Sequence, residues 1–139
     1  MHLRKINWKS GSGEALGFTV VAPILLLITL FILNMYIISD CEQKLIYASY
    51  KAGRQAVIQY DCQSANEAMK NELDAIYGGS AADHNVTWDL GIKDDIYWEK
   101  GNVTLITVTQ ELKAILPLGN GPHTRSIGMM IEHSKWTNE

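Results

Sequence analysis

The sequence predicts an α+β protein: a long N-terminal transmembrane helix extends into an exported domain that adds a second helix and a small antiparallel sheet. Three observations lead to this prediction. Residues 15–39 are 25 consecutive positions without a charged side chain. Helical spacing of small and apolar residues continues beyond that run to residue 56. After the glycine pair at 78–79 the pattern changes from helical to alternating.

The charges divide the 139 residues into three regions. Residues 1–17 are a basic leader, with three Lys or Arg against one acid, Glu14. The region 40–139 holds nine basic and 14 acidic residues, a net charge of −5. Because basic flanks stay in the cytoplasm, we expect a single-pass protein of the inner (cytoplasmic) membrane with its N-terminus inside and 40–139 exported. The acidic balance excludes nucleic acid as a partner, since binding it needs a basic face.

Residues 18–39 are the predicted transmembrane helix, with membrane lipid as its partner. A helix needs about 20 apolar residues to cross the hydrocarbon core, and this segment supplies them. Pro23, its helix breaker, lies near the start, and Asn34 is expected at the membrane interface. No small-x-small pattern follows the apolar run, which favours a lasting anchor over a cleaved secretory signal.

The exported domain is predicted to be helical over 40–77. Leu45, Ala48, Ala52 and Ala56 are spaced by three or four, so the membrane helix continues as a rod of about 40 residues, about 60 Å long. Alanines allow another helix to approach closely. Two partners remain open for this face: a neighbouring subunit or the chain's own domain. If a neighbour packs there, Ala52→Leu should damage assembly and leave the exported domain folded.

A second helix is predicted over 65–77. Ser64 and Glu67 have the spacing of a capping box, in which Ser64 would be the N-cap. The helix should stop at the 78–79 glycines.

The region 84–134 is predicted to be β-rich, with three or four antiparallel strands. In 103–112, Thr104, Ile106 and Val108 should face away from the side that carries Val103 and Leu105. The predicted segments are strands at 85–90, 95–99, 103–112 and 124–133, with a turn at 100–102 and a loop at 116–122.

The sequence lacks the motifs typical of catalytic, metal-binding or cofactor-binding sites. We therefore predict no enzyme, no catalytic residues, no metal and no cofactor. The four histidines are scattered, without metal-ligand spacing. Asp94 and Asp95 suit a solvated turn better than a cation site. Trp88, Trp98 and Tyr97 suit packing better than a ligand platform.

Two cysteines, Cys41 and Cys62, lie in the exported region, where disulfides persist if the compartment is oxidising. On one straight helix they would be about 30 Å apart, well beyond the roughly 7 Å limit for a disulfide. An internal bridge would need the rod to fold back at Gly53. Free thiols, or bonds to neighbouring subunits, are therefore favoured.

Residues 10–26, SGSGEALGFTVVAPILL, resemble the TadE-like proteins of tight-adherence pili, which are minor pilins or pseudopilins of type IV-related filament machines. The likeness rests on the basic leader, the Gly/Ser junction, Phe18 and the apolar step around Pro23, and covers about 40 N-terminal residues. It implies a pilin-like component of a pilus or secretion apparatus. Its implied partners are other pilin-like subunits, pilus assembly proteins and prepilin peptidase.

The family pattern also implies a leader-processing region. Prepilin peptidase usually cuts after a Gly shortly before a Glu, but Gly17 stands here at the aligned Glu position. The candidates are therefore Gly11, Ser12 and Gly13, near Glu14. That carboxylate either pairs with a neighbouring subunit's amine or is solvated. The residues predicted to take part in assembly or helix packing are Glu14, Gly17, Phe18, Pro23, Ala48, Ala52 and Ala56.

Two functions remain open at this point. The first is a pilin-like assembly component that acts by helix packing and display of its exported domain. The alternative is a single-pass accessory protein whose exported domain binds a partner or ligand without entering a filament.

Overall fold

The computed structural model describes residues 8–135, and within α1 the side chains of 8–12 and 14–16 are left aside. The described chain is α+β, as predicted, with two helices followed by a three-stranded antiparallel sheet. The elements are α1 (Trp8–Val57), α2 (Cys62–Tyr77), β1 (Val86–Leu90), β2 (Val103–Leu112) and β3 (Gly121–Met130), with short 3-10 turns at Ala81–His84 and Asp95–Tyr97.

Helix α1 is continuous over 50 residues, about 75 Å at about 1.5 Å per residue. The predicted continuation of the apolar helix beyond residue 39 is confirmed. The helix begins at Trp8, so the predicted leader is helical from that residue onward. Pro23 lies well inside α1 without ending it, and Gly53 lies in the helix rather than at a fold-back.

Helix α2 begins earlier than predicted. Its N-cap is Asp61, which accepts a hydrogen bond from the Ser64 backbone N–H at 2.7 Å. The prediction of Ser64 as N-cap was therefore wrong: an Asp three residues upstream is as good a cap, and it also binds Lys135 at 2.7 Å. The predicted stop is confirmed, because Gly78 caps the C-terminus with φ 74°.

Strand β2 is the centre of the sheet, between β1 and β3. Its bounds match the prediction, and so do its faces, because Thr104, Ile106 and Val108 are buried while Val103 and Leu105 are exposed. The last strand is shifted to Gly121–Met130, since it pairs with β2 along its whole length, from Leu112↔Gly121 to Val103↔Met130.

The strand predicted over 95–99 is wrong. Residues Asp95–Tyr97 form a single 3-10 turn. The Asp94 carboxylate accepts a hydrogen bond from the Ile96 backbone N–H at 3.1 Å, which fixes the turn. Trp98 follows, fully buried, and donates its indole N–H to the Gln59 carbonyl at 3.0 Å. Trp98 therefore fills the core without joining the sheet, whereas Ile96 and Tyr97 are exposed.

The head, defined here as residues 34–135, has one hydrophobic core beneath the sheet. Helix α1 packs against β2, β3 and α2. Met69 and Leu73 of α2 are buried together with Ile106 of β2. The far end of α1 is tied to the chain beyond β3 by a backbone bond from Glu132 to Val57 at 2.9 Å. The core therefore holds the second half of α1 as part of the head.

Candidate functional site

The first half of α1 projects from the head as a bare apolar helix. Among the described residues, α1 is the one helix long and apolar enough to cross a membrane, and its apolar stretch is almost entirely exposed. Phe18, Leu27 and Ile32 are typical of its exposed side chains. In water such a surface would cost roughly 1.5–3 kcal/mol for each large side chain left unburied. This arrangement suits lipid or the helices of other chains.

Asn34 marks the point where the head begins. Its side chain is fully buried, donating to the Leu118 carbonyl at 2.8 Å and accepting from the Leu116 backbone N–H at 2.9 Å. The last six residues of the predicted span 18–39 therefore lie against the head. Residues 15–33 alone give about 28 Å of helix, close to the roughly 30 Å of a hydrocarbon core.

The predicted leader-processing positions lie on this bare half, together with four of the predicted packing positions: Glu14, Gly17, Phe18 and Pro23. Gly11, Ser12 and Glu14 are within the helical backbone, and their side chains are outside the described set. Gly13 and Gly17 are exposed, and a Cβ at either would meet no atom of the chain within 4 Å. A neighbouring helix is thus free to approach them. Phe18 and Pro23 are exposed as well.

Two partners were open for the face of Ala48, Ala52 and Ala56, and the structure shows the chain's own domain there. All three are fully buried within the head. The neighbouring Gly53 explains how closely the sheet approaches this face, because a Cβ there would lie 2.7 Å from the Met129 sulfur and 3.1 Å from Ile106 Cδ1. The small residues bring α1 against the chain's own head.

The exposed face of α1 within the head is aromatic, and sequence reasoning missed it. Ile46, Tyr47 and Tyr50 are each about half exposed, and Tyr36 is more so. At 100° per residue, Tyr36, Tyr47 and Tyr50 lie within about 60° of one another. Phe18, Leu25 and Ile32 continue the same side along the bare half. The signal was available, since the tyrosines lie opposite the alanine spacing. We call this surface, formed by Phe18, Leu25, Ile32, Tyr36, Ile46, Tyr47 and Tyr50, the aromatic stripe.

A charged cluster fastens β3 to α1. Glu42 accepts hydrogen bonds from Arg125 and from His123 Nδ1, the latter at 2.8 Å, while His123 Nε2 lies 2.9 Å from the Gly119 carbonyl. The His123 bond, together with Arg125, lowers the pKa of Glu42. The Gly119 carbonyl and then Glu42 raise the pKa of His123, because both accept from the protonated ring.

Both cysteines are free and buried. The Cys41 thiol faces the Gln110 side-chain oxygen at 3.5 Å, and the Cys62 thiol faces the Ile92 carbonyl at 3.5 Å. Burial, with nearby carboxylates, raises the thiol pKa of Cys41 and raises that of Cys62 to about 11. Neutral, enclosed thiols are poor nucleophiles. Of the two predicted states, the structure holds free thiols, and their burial argues against bonds to neighbouring subunits.

An open cleft of about 720 Å³ lies between the start of α2 and the end of β1, beside Trp88 and Lys93. The acids at its rim have structural partners: Asp95 accepts from the Cys62 backbone N–H at 2.9 Å, and Asp94 caps the 3-10 turn. The part of the chain that the structure describes contains no group of three or more His, Cys, Asp or Glu placed to hold a metal.

No protein-family model, curated protein or solved structure matches this chain.

Proposed function

We propose that this chain is a pilin-like assembly component of a bacterial type IV-related, Tad-type pilus or secretion apparatus, anchored by α1 in the inner membrane. One observation carries the proposal: a single helix is bare and apolar over its first half and built into a folded head over its second. The bare half can lie in lipid while the subunit is stored, and against other helices after assembly. The role needs packing, with no catalysis.

The orientation follows from the charges. Basic residues precede the apolar run, and the head carries the acidic excess, so the N-terminus remains cytoplasmic and the head is exported. The resemblance of residues 10–26 to TadE-like proteins supports the same role, with prepilin peptidase as the processing partner. Gly13 and Gly17 offer neighbouring helices a surface without side chains.

The aromatic stripe is the surface by which α1 would meet other pilin-like subunits. It stays exposed when the alanine face is covered by the head, and it runs from the bare half onto the head. Tyrosines are enriched at protein interfaces because an apolar ring carries a polar tip. The stripe thus replaces the alanines as the contact between subunits.

Cysteine cross-linking in the native membrane tests this assignment. Tyr50→Cys places an accessible thiol on the stripe, whereas Tyr97→Cys places one at an equally open site on the 3-10 turn. Oxidation should link two Tyr50→Cys chains into a disulfide-bonded dimer. The Tyr97→Cys chain should remain unlinked. Equal cross-linking of both variants, or none, would count against a contact through the stripe.

A permanently anchored accessory protein is the second candidate, and the cleft beside Trp88 is the observation that favours it. Trp88 donates its indole N–H to the Asn66 side chain at 2.9 Å, which fixes the ring at the cleft wall. A ligand of the head would enter there. This function predicts an uncleaved leader and no cross-links through Tyr50→Cys.

A further inference from the structure

The loop between β2 and β3, residues 113–120, is fixed beside α1 at the point where the helix leaves the head. We call it the hairpin loop. Asn34 binds it through both side-chain atoms, to Leu116 N–H and to the Leu118 carbonyl. Gly119 has φ 86°, and a Cβ there would collide with the Ile38 side chain. The loop therefore packs directly against α1.

Several polar backbone groups of the hairpin loop are paired. The Asn120 side chain accepts from Ala114 N–H at 2.6 Å, and Asn120 N–H donates to the Pro117 carbonyl at 3.4 Å. His123 lies 2.9 Å from the Gly119 carbonyl, and Pro117 has no N–H to satisfy. Backbone groups paired in this way can meet an apolar medium at low cost, whereas unpaired ones cannot.

Two large apolar side chains of the loop point outward. Ile115 is 57% exposed and Leu118 is 62% exposed. They occur in the sequence Ile-Leu-Pro-Leu, which is unusually apolar for a hairpin turn. Leu116 N–H and the Leu118 carbonyl thus face Asn34, while the Ile115 and Leu118 side chains face outward.

The position of the loop along α1 tells what faces these side chains. Residues 15–33 span about 28 Å, so a bilayer of about 30 Å hydrocarbon thickness ends near Asn34. Tyr36 is 70% exposed one turn further on. Trp8 precedes Tyr36 by 28 positions, about 42 Å along a helix. That is close to the full 40–45 Å thickness of a bilayer, whose two interfaces are enriched in Trp and Tyr.

We propose that the hairpin loop is a second membrane contact, inserting Ile115 and Leu118 into the interface of the bilayer that α1 crosses. The proposal rests on the proposed function, because it needs α1 to be in the membrane. Interfacial apolar side chains enter roughly 5–10 Å below the headgroups. Lys113, exposed at the base of the loop, suits anionic headgroups. With two contacts, the head is held against the membrane in one orientation, which also fixes the direction of the aromatic stripe.

Depth-dependent fluorescence quenching in vesicles tests the proposal with the full chain. Leu118→Cys carries an environment-sensitive fluorophore, and Val103→Cys is the matched control, since Val103 is 66% exposed at the other end of the sheet. The native thiols are buried, so the unsubstituted chain should take up no label. Vesicles contain phosphatidylcholine with an anionic lipid and a lipid carrying a spin label near the headgroup. Flotation of the vesicles reports anchoring separately.

We expect the probe at 118 to be quenched severalfold more strongly than the probe at 103, at every protein-to-lipid ratio. Adding Ile115→Asp should lower the quenching at 118 towards the control value. Adding Met130→Asp should leave it unchanged, since Met130 is 60% exposed at the far end of the sheet. Thermal melts of the two Asp variants check that both heads are folded.

Three results would overturn the proposal. Equal quenching at 118 and 103 in a chain that floats would place the loop in water, with α1 still anchored. A difference in quenching between 118 and 103 that appears only at high protein-to-lipid ratios would show that the loop contacts a second copy of the chain. A chain that fails to float would overturn both the anchor and the loop contact.

Discussion

Ala52→Leu distinguishes a core position from a contact between subunits. Ala52 is fully buried in the head, and its neighbour Gly53 already lies against Met129 and Ile106. Leucine adds three carbon atoms where there is no room, and overpacking of this kind costs about 1–3 kcal/mol. For a head of roughly 100 residues, each kcal/mol lowers Tm by about 4–8 °C. We therefore expect a fall in Tm of about 4–24 °C.

The assay is thermal unfolding followed by near-ultraviolet circular dichroism in detergent, which covers the bare half of α1. Tyr50→Leu is the matched control, because it changes an exposed residue two positions away. A surface substitution should alter stability by no more than about 0.5 kcal/mol. Tyr50→Leu should instead weaken association with other subunits. An Ala52→Leu chain with unchanged Tm and lost association would refute the placement of the alanines in the core.

Three further predictions concern the contacts that hold the head to α1. Asn34→Leu removes both hydrogen bonds to the hairpin loop. Hydrogen exchange at 114–119 should therefore become faster, while α2 keeps its protection. Unchanged exchange at 114–119 would show that Asn34 does not hold the loop. The pKa of His123 is raised above 6.5 and the pKa of Glu42 is lowered below 4.5. The contact between them therefore stabilises the fold most strongly between these two pH values. This stabilisation is lost as pH rises through the folded-state pKa of His123. Tm should therefore be higher at pH 6 than at pH 8.5, and His123→Asn should reduce this difference in Tm. An equal difference in the variant would contradict the role of the His123–Glu42 contact. Asp61→Ala removes the α2 cap and should lower the free energy of unfolding by about 0.5–2 kcal/mol. Because Lys135 and Ser64 lower the pKa of Asp61 to about 2, the cap in the native chain should persist until pH falls below about 3.8 towards 2. Loss of the cap at a higher pH would contradict its assignment.

Local patterns predicted the elements of the fold but not their contacts. The long uncharged run identified α1, the 78–79 glycines ended α2, and alternation identified β2 with its correct buried face. These features depend on neighbours in sequence. The 95–99 segment failed because alternation cannot distinguish a strand from a 3-10 turn whose Trp fills the core.

The candidate site was less predictable, because its contacts join distant parts of the chain. Small residues on α1 indicated close packing, yet nothing in their spacing distinguished a neighbouring subunit from the chain's own sheet. Asn34 seemed a polar exception in an apolar run, and its partner is more than 80 residues away in the hairpin loop. The tyrosine positions of the aromatic stripe were readable opposite the alanine spacing, but their exposure followed only from knowing that the alanine face is covered.

The intact mass and N-terminal sequence of the protein from its native envelope test the central claim most directly. A pilin-like subunit processed by prepilin peptidase should appear as a shortened chain that begins at Ser12, Gly13 or Glu14. The control is the same measurement in cells without the peptidase, where the mass should return to that of the full 139-residue chain. A full-length chain in both cells, found without other pilin-like subunits, would contradict assembly and assign the protein a permanent anchoring role.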